Sequence, residues 1–192
     1  MLKDEQRREW LKPEKVLAEA GIRSGQTVVD VGAGTGFWTE ALSALVGPAG
    51  HVYSVDIEPV MLEELRTMVR EIGLKNVEVI QSQETSIPLP SSTADSAVLA
   101  LVLHHPAEPL ELLREIIRLL KPDGRLLVVD WEDRPTEHGP PLEHRISREE
   151  AHALLGAAGL TVKNLASPSE DVYALLAWEF DSGHLEVTGP TV

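Results

Sequence analysis

Short apolar runs rich in β-branched residues alternate with amphipathic stretches along most of this chain. Residues 27–31, Thr-Val-Val-Asp-Val, form the first apolar run, which closes in a glycine cluster before a helical pattern over 38–45. Residues 51–56 form the second, and the stretch 59–72 after it carries Met61, Leu62, Leu65, Met68 and Val69 on one stripe, with Pro59 suited to a first helical turn. A third run covers 77–80. The fourth, 96–103, is apolar almost without interruption and predicts a central strand buried on both faces. Leu110, Leu113, Ile116, Ile117 and Leu120 recur at helical spacing, and Lys121-Pro122-Asp123-Gly124 then breaks the helix ahead of a fifth strand over 125–130.

Farther on, Ser147-Arg148-Glu149-Glu150 is a capping box opening a helix to about residue 158, with Gly159 as its stop signal. Residues 160–165 and 172–180 follow with no helix between them and predict an antiparallel hairpin at a sheet edge. This rhythm predicts an α/β fold with a doubly wound, mostly parallel seven-stranded sheet, Rossmann-like, with an antiparallel C-terminal strand. One domain is expected over 1–180, with an N-terminal lid helix region at 1–22 and a loose tail at 181–192. The amphipathic segment 4–20, interrupted by Pro13, and the aperiodic connection 131–146 are the two pieces able to cover the carboxyl ends of the strands.

Composition narrows the possible partners. With 17 basic against 31 acidic side chains in 192 residues, the formal charge is −14, which repels phosphate backbones, and no basic stripe offsets it. Nucleic acid is therefore not the expected partner. The absence of cysteine excludes disulfides, thiolate metal sites and cysteine nucleophiles. The first ten residues mix both charge signs and lack a leader-like apolar stretch, and no window of the chain reaches bilayer length, so a cytoplasmic protein without a membrane partner is expected.

The chemistry starts at Gly32-Ala33-Gly34-Thr35-Gly36. Glycines at this spacing permit a tight strand-to-helix turn and a close approach of backbone to a ligand. The dinucleotide pattern G-x-G-x-x-G would need glycine at 37, where Phe37 stands, and no lysine follows Gly36 as a phosphate loop would require. Asp56, twenty residues past Gly36 at the end of the second strand, is placed to accept hydrogen bonds from both hydroxyls of a ribose. The loop and the acid together point to a nucleoside ligand. The competing structural reading is that the glycines only shape a turn and Asp56 caps the next helix.

The segments Val29-Asp30-Val31-Gly32-Ala33-Gly34-Thr35-Gly36, Val55-Asp56 and Lys121-Pro122-Asp123-Gly124-Arg125-Leu126-Leu127-Val128-Val129-Asp130 resemble the class I S-adenosylmethionine-dependent methyltransferases. The similarity is closest to the small-molecule, ubiquinone/menaquinone-biosynthesis type. It covers residues 25–160 and includes Gly139-Pro140-Pro141. The resemblance implies S-adenosyl-L-methionine as cofactor, with Asp30, Gly32, Gly34 and Gly36 at its methionine portion, Asp56 at the ribose and Ile57 beside the adenine. Gln81-Ser82-Gln83-Glu84 falls where many relatives have Gly-Asp-Ala-Glu, whose aspartate contacts the adenine amino group. Ser82 stands in the place of that aspartate, so the adenine contact is expected from Ser82, Gln83 or backbone, with Glu84 beside them.

A methyl acceptor that must lose a proton calls for a base, and His104 and His105, at the end of the fourth run, are the candidates. Neighbouring strand residues face opposite ways, so one of the two is expected to point into the pocket. The alternative is that the pair packs at the strand terminus or binds the amino acid portion of the cofactor. Asp130, Trp131, Glu132 and His144 are weaker candidates, and no short ligand spacing supports a metal site. Trp10, Trp38 and Trp131 are candidate walls of an apolar or aromatic acceptor pocket, with ordinary core or lid packing the alternative for each. Nucleic-acid amino methyltransferases carry Asn/Asp-Pro-Pro-Tyr/Phe after the fourth strand, where this chain has Leu103-His104-His105-Pro106, so the expected acceptor is a small molecule. Two rival readings of the loop are a non-catalytic S-adenosylmethionine or nucleoside-binding regulatory domain and a nicotinamide-dependent oxidoreductase.

Overall fold

A computed structural model describes residues 4–179. Two short helices come first, α1 (Asp4–Leu11) and α2 (Pro13–Glu19). Pro13 cannot continue a helix but suits the first turn of a new one, and Lys12 makes the corner with φ of 45°. Strands β1 (Thr27–Val31), β2 (His51–Asp56), β3 (Val77–Gln81), β4 (Ala94–Ala100), β5 (Leu120–Trp131), β6 (Leu160–Asn164) and β7 (Val172–Glu179) form one sheet in the order β3-β2-β1-β4-β5-β7-β6. The first five are parallel. β7 inserts antiparallel between β5 and β6, so the C-terminal hairpin lies at the sheet edge as its sequence suggested. The tail at 181–192 and the end of the seventh run at Phe180 lie outside the described residues.

Alternation along the strands sends Val29, Leu99, Leu126 and Val128 to one face and Val28, Val98, Leu127 and Val129 to the other. Helices α5 (Pro109–Leu119) and α6 (Arg148–Ala157) cover the first face, through Leu113, Ile116, Ala151 and Leu155. The second is covered by α2 and α3 (Phe37–Val46), through Val16, Leu17, Trp38 and Leu42. α4 (Pro59–Ile72) lies over β2 and β3 and ends at Gly73, whose φ of 77° is left-handed. The capping box at Ser147 forms with both reciprocal hydrogen bonds to Glu150. Helices on both faces thus shield the apolar sides of the sheet from water.

The two largest boundary differences from the sequence expectation each have a local cause. β4 ends at Ala100 rather than continuing to 103, because Leu101 adopts a φ of 60° and turns the chain across the carboxyl end of the sheet. Lys121-Pro122-Asp123-Gly124 ends α5 as expected but lies within β5, as a bulge: Ala94 pairs with Leu120 and Ser96 with Arg125, which leaves those four residues extruded.

Candidate functional site

A cavity of about 570 Å3 opens at the carboxyl ends of β1, β2 and β4. The strand order reverses there, since β2 leads to β3 on one side of β1 while β4 and β5 lie on the other. Open α/β sheets bind ligands at such a switch point, because the diverging loops leave a crevice between them. Its walls are the 31–35 loop, the start of α3, Asp56 to Glu58, Ser82 to Glu84 and the turn after β4.

The three glycines of the loop do different things. Gly34 (φ 55°) has open space where a Cβ would stand, on the cavity side, and its N–H donates to Asp56 Oδ2 at 2.8 Å. Gly32 leaves room for Val102, which a Cβ would approach to 2.5 Å. Gly36 does not line the cavity, and a Cβ there would come within 2.2 Å of Met68 and 2.6 Å of Leu65, so its bareness serves the packing of α4. Asp56 also accepts from the Glu58 N–H, through Oδ1 at 2.9 Å, and therefore ties the glycine loop to the start of α4. A carboxylate has about four acceptor positions, so two remain for a ligand at the cavity wall.

Asp30 lies beneath this floor rather than on it. It is 1% exposed, absent from the cavity wall, and accepts from Thr39 Oγ1 at 2.6 Å, while the same hydroxyl lies 2.9 Å from Ser54 Oγ. Burial pushes its pKa up to about 7, the Thr39 hydrogen bond opposes that shift and the Asp56 charge adds to it. Asp30 thus braces the N-terminal end of α3 from below. Ile57 and Met61 are partly exposed, and Ser82, Gln83 and Glu84 line the opposite side. Ser82 N–H is already used on the Asp56 carbonyl (3.0 Å), and Glu84 accepts from Ala107 N–H (3.0 Å), bridging the cavity mouth.

The two histidines part company. His105 lines the cavity, whereas His104 does not; its side chain is 4% exposed and its Nδ1 lies 2.7 Å from Asp130 Oδ1. The sequence argument from strand alternation reached this division by the wrong route, since both residues sit in the turn that follows Leu101, where His105 N–H bonds the Val102 carbonyl at 2.9 Å. Burial lowers the pKa of His105, and the neighbouring His104 lowers it further, against the smaller opposing pull of Asp130 and Asp56.

Of the tryptophans, Trp38 lines the cavity, with its Nε1 buried and without a partner among the described residues. Trp10 and Trp131 do not line it. They pack on each other, with ring centroids 5.1 Å apart, and Trp10 Nε1 donates to Asp171 at 3.3 Å. This contact, absent from any local pattern, fixes α1 so that Arg7 reaches the cavity and stacks on Phe37 at 4.3 Å. Within the 131–146 connection Arg145 donates to the carbonyls of Glu132, Arg134, Pro140 and His138 and to Thr136 Oγ1, while Arg134 pairs with Asp171 and Glu132 with Arg148. His144 is exposed, and no group of three metal-ligating side chains occurs among the described residues. Nor is any described helix long and apolar enough to cross a membrane.

These features suit an adenosyl ligand carrying an amino acid: an open glycine face, a carboxylate with spare acceptor positions, and an orphaned indole donor at the start of α3. Comparison with known proteins agrees with the geometry. Residues 22–168 match a family model described as a methyltransferase domain. The ubiquinone/menaquinone biosynthesis C-methyltransferase UbiE of Salmonella arizonae is 37% identical over 159 residues, which are 82% of this chain and 60% of that protein. The chain thus spans less than two thirds of that relative's length. The crystal structure of an S-adenosylmethionine-dependent methyltransferase from Aquifex aeolicus superposes with a TM-score of 0.86 at 36% identity, covering 92% of this chain and 98% of that one. The [4+2]-cyclase SpnF, at 21% identity and a TM-score of 0.74 over 88% of this chain and 80% of its own, shares the fold.

Proposed function

The chain belongs to the class I S-adenosylmethionine-dependent methyltransferases, and from that premise we propose that it methylates a small, largely apolar molecule by direct in-line displacement. The hydrogen-bonded unit of Gly34 and Asp56 at the rim of the cavity carries this reading. When bound, the cofactor supplies an electrophilic methyl group on a positively charged sulfur. Asp56 would hold the ribose hydroxyls with its two free acceptor positions, Gly34 would let the backbone approach, and the Trp38 indole N–H would meet the amino acid carboxylate. Ile57 and Met61 would flank the base, and Ser82 and Gln83 would edge it.

The rest of the cavity favours an uncharged acceptor. Ile87, Leu101, Val102 and Leu112 give it apolar walls, while Asp56, Glu58 and Glu84 outnumber Arg7 among its charged residues and would repel an anion. That environment suits an electron-rich ring, and the name of the Salmonella relative, a quinone-biosynthesis C-methyltransferase, supports the same class. Holding the two reactants in line and excluding water is most of what such a displacement needs.

Calorimetric titration with S-adenosylmethionine, its demethylated product and NAD tests the cofactor assignment. The first two should bind and NAD should not. Incubation with methyl-deuterated S-adenosylmethionine and a short-chain 1,4-naphthohydroquinone, read by mass spectrometry, then tests the acceptor class; a deuterated methyl on the ring supports it. Binding of the cofactor with no methylated product from this or other small aromatic acceptors would favour the non-catalytic reading instead.

A further inference from the structure

His105 stands on the cavity wall, but its immediate neighbour stands on a buried carboxylate. The rings of His104 and His105 are stacked with centroids 4.1 Å apart at a 40° tilt, and behind them Asp130 Oδ1 is 2.7 Å from His104 Nδ1. Because a carboxylate only accepts, Nδ1 of His104 carries the hydrogen. Asp130 Oδ1 also accepts from the Trp131 N–H at 2.8 Å, whereas Oδ2 is buried with no partner among the described residues. Tyr173 stays out of this arrangement, since its hydroxyl donates to the Ile146 carbonyl. Asp130 near the end of β5 and the two histidines in the turn after β4 therefore form a line from the sheet interior to the cavity.

We propose that Asp130 and His104 form a positioning pair that keeps His105 uncharged on the cavity wall, so that His105 takes the proton released by the acceptor during methyl transfer. The proposal rests on the methyltransferase reading above. Charge on either of two rings stacked 4.1 Å apart disfavours charge on the other, and the carboxylate of Asp130 touches His104 and not His105. The remaining charged groups around the cavity are Asp56 and Glu58 after β2, Glu84 after β3 and Arg7 of α1. Burial and His104 together leave His105 with a lowered pKa despite the carboxylates of Asp130 and Asp56.

An uncharged His105 matters twice. Before transfer it avoids placing a cation beside a positive sulfur. In the transfer itself the acceptor's bond to hydrogen breaks toward His105, its bond to the methyl carbon forms, and the electron pair of the broken carbon–sulfur bond stays on sulfur. One positive charge leaves sulfur as one arrives on His105, so the low-dielectric cavity never holds two. The basicity of His105 should therefore rise when the sulfonium becomes a neutral thioether.

Histidine ring titration by 15N and 13C NMR on the whole protein reads this directly and needs no acceptor. In the free protein His105 should titrate below the ordinary histidine value of about 6.5, with Nδ1 of His104 protonated throughout. The His105 midpoint should be at least half a pH unit higher with the demethylated product bound than with S-adenosylmethionine bound. His104→Gln should raise the midpoint in the free protein, whereas Asp130→Asn, which removes the carboxylate that accepts the His104 Nδ1 hydrogen, should leave that hydrogen divided between Nδ1 and Nε2. An unchanged His105 midpoint in folded His104→Gln, a His104 hydrogen still confined to Nδ1 in folded Asp130→Asn, a midpoint above 6.5 in the free protein, or equal midpoints in the two complexes overturns the proposal. Failure of either ligand to bind overturns the cofactor reading, while the titrations of the free protein still decide the role of the pair.

Discussion

Gly34 and Asp56 meet through a 2.8 Å hydrogen bond from the loop backbone to the carboxylate, so the glycine cradle and the acid after β2 form one mechanical unit. Removing the carboxylate breaks that bond and the second one from Glu58 N–H. Hydrogen bonds to a charged group contribute about 1.5 to 3 kcal/mol each, and the ribose contacts proposed above would be lost as well. Asp56→Ala should raise the dissociation constant for S-adenosylmethionine at least tenfold and lower the melting temperature. Calorimetry and thermal unfolding on the same preparation check both. Affinity within about threefold of the parent would remove Asp56 from the ribose site.

The glycines separate two kinds of damage. Gly36→Ala drives a Cβ into Met68 and Leu65 at a φ of 99°, so it should destabilise the fold by roughly 1 to 3 kcal/mol through overpacking and strain. Gly34→Ala meets no atom, and its cost to stability should be about 1 kcal/mol, from the left-handed backbone alone. It nevertheless places a methyl group on the open cavity side and should weaken cofactor binding more than Gly36→Ala does at a temperature where both remain folded. Urea unfolding and calorimetry together give the two orderings, which must be opposite.

Much of this site was readable before any coordinates, because local sequence controls it. The glycine spacing, the acid twenty residues later, the break at 121–124 and the capping box at Ser147 each depend on backbone geometry within a few residues, and the order of strands and helices follows from their periods. What escaped the sequence is long-range. Asp130 meets His104 only because β4 and β5 pair in a particular register, and no spacing rule encodes a pair so far apart. The burial of Asp30 followed from its neighbours across β2 and α3, although its position in an apolar run was a usable signal. Trp10 and Trp131 suit a pocket wall or ordinary packing equally well by sequence, and a contact between residues so far apart in the chain decides for packing. The left-handed Leu101 carried no signal at all, since leucine rarely adopts that conformation.

Asp30 should leave a mark on stability. Its pKa in the folded protein, about 7, exceeds the ordinary 3.8, so the folded chain retains a proton that the unfolded chain releases. The associated stabilisation is complete below pH 3.8 and is lost as pH rises through about 7. Asp30→Asn keeps an acceptor for Thr39 and removes the titration. Relative to this variant, the parent should therefore lose stability as pH rises from 3.8 to about 7, by on the order of a few kcal/mol. Denaturant unfolding of both proteins across that range measures the difference, and a constant offset would show that Asp30 carries its charge in the folded state without penalty.

Arg145 offers the last test, because its guanidinium organises the 131–146 connection that shelters Trp131. Its fork takes carbonyls from both arms of the connection, at 2.8 Å from Arg134 and 3.0 Å from Pro140, and stands 5.2 Å from the Trp131 ring centroid. Gly139 packs against the same ring so closely that a Cβ would fall 2.8 Å from it. Trp131 in turn supports Trp10, and Trp10 belongs to the helix that brings Arg7 to the cavity. Arg145→Lys keeps the charge but not the fork, so most of these hydrogen bonds should go. We expect a stability loss of about 2 kcal/mol, new protease cleavage within 132–144, and a several-fold weaker affinity for S-adenosylmethionine transmitted through the two tryptophans. Trp10→Ala should reproduce the weaker affinity without the new cleavage sites. If it instead leaves affinity unchanged, α1 does not help to hold the cofactor, and any effect of Arg145→Lys on binding must travel by another route.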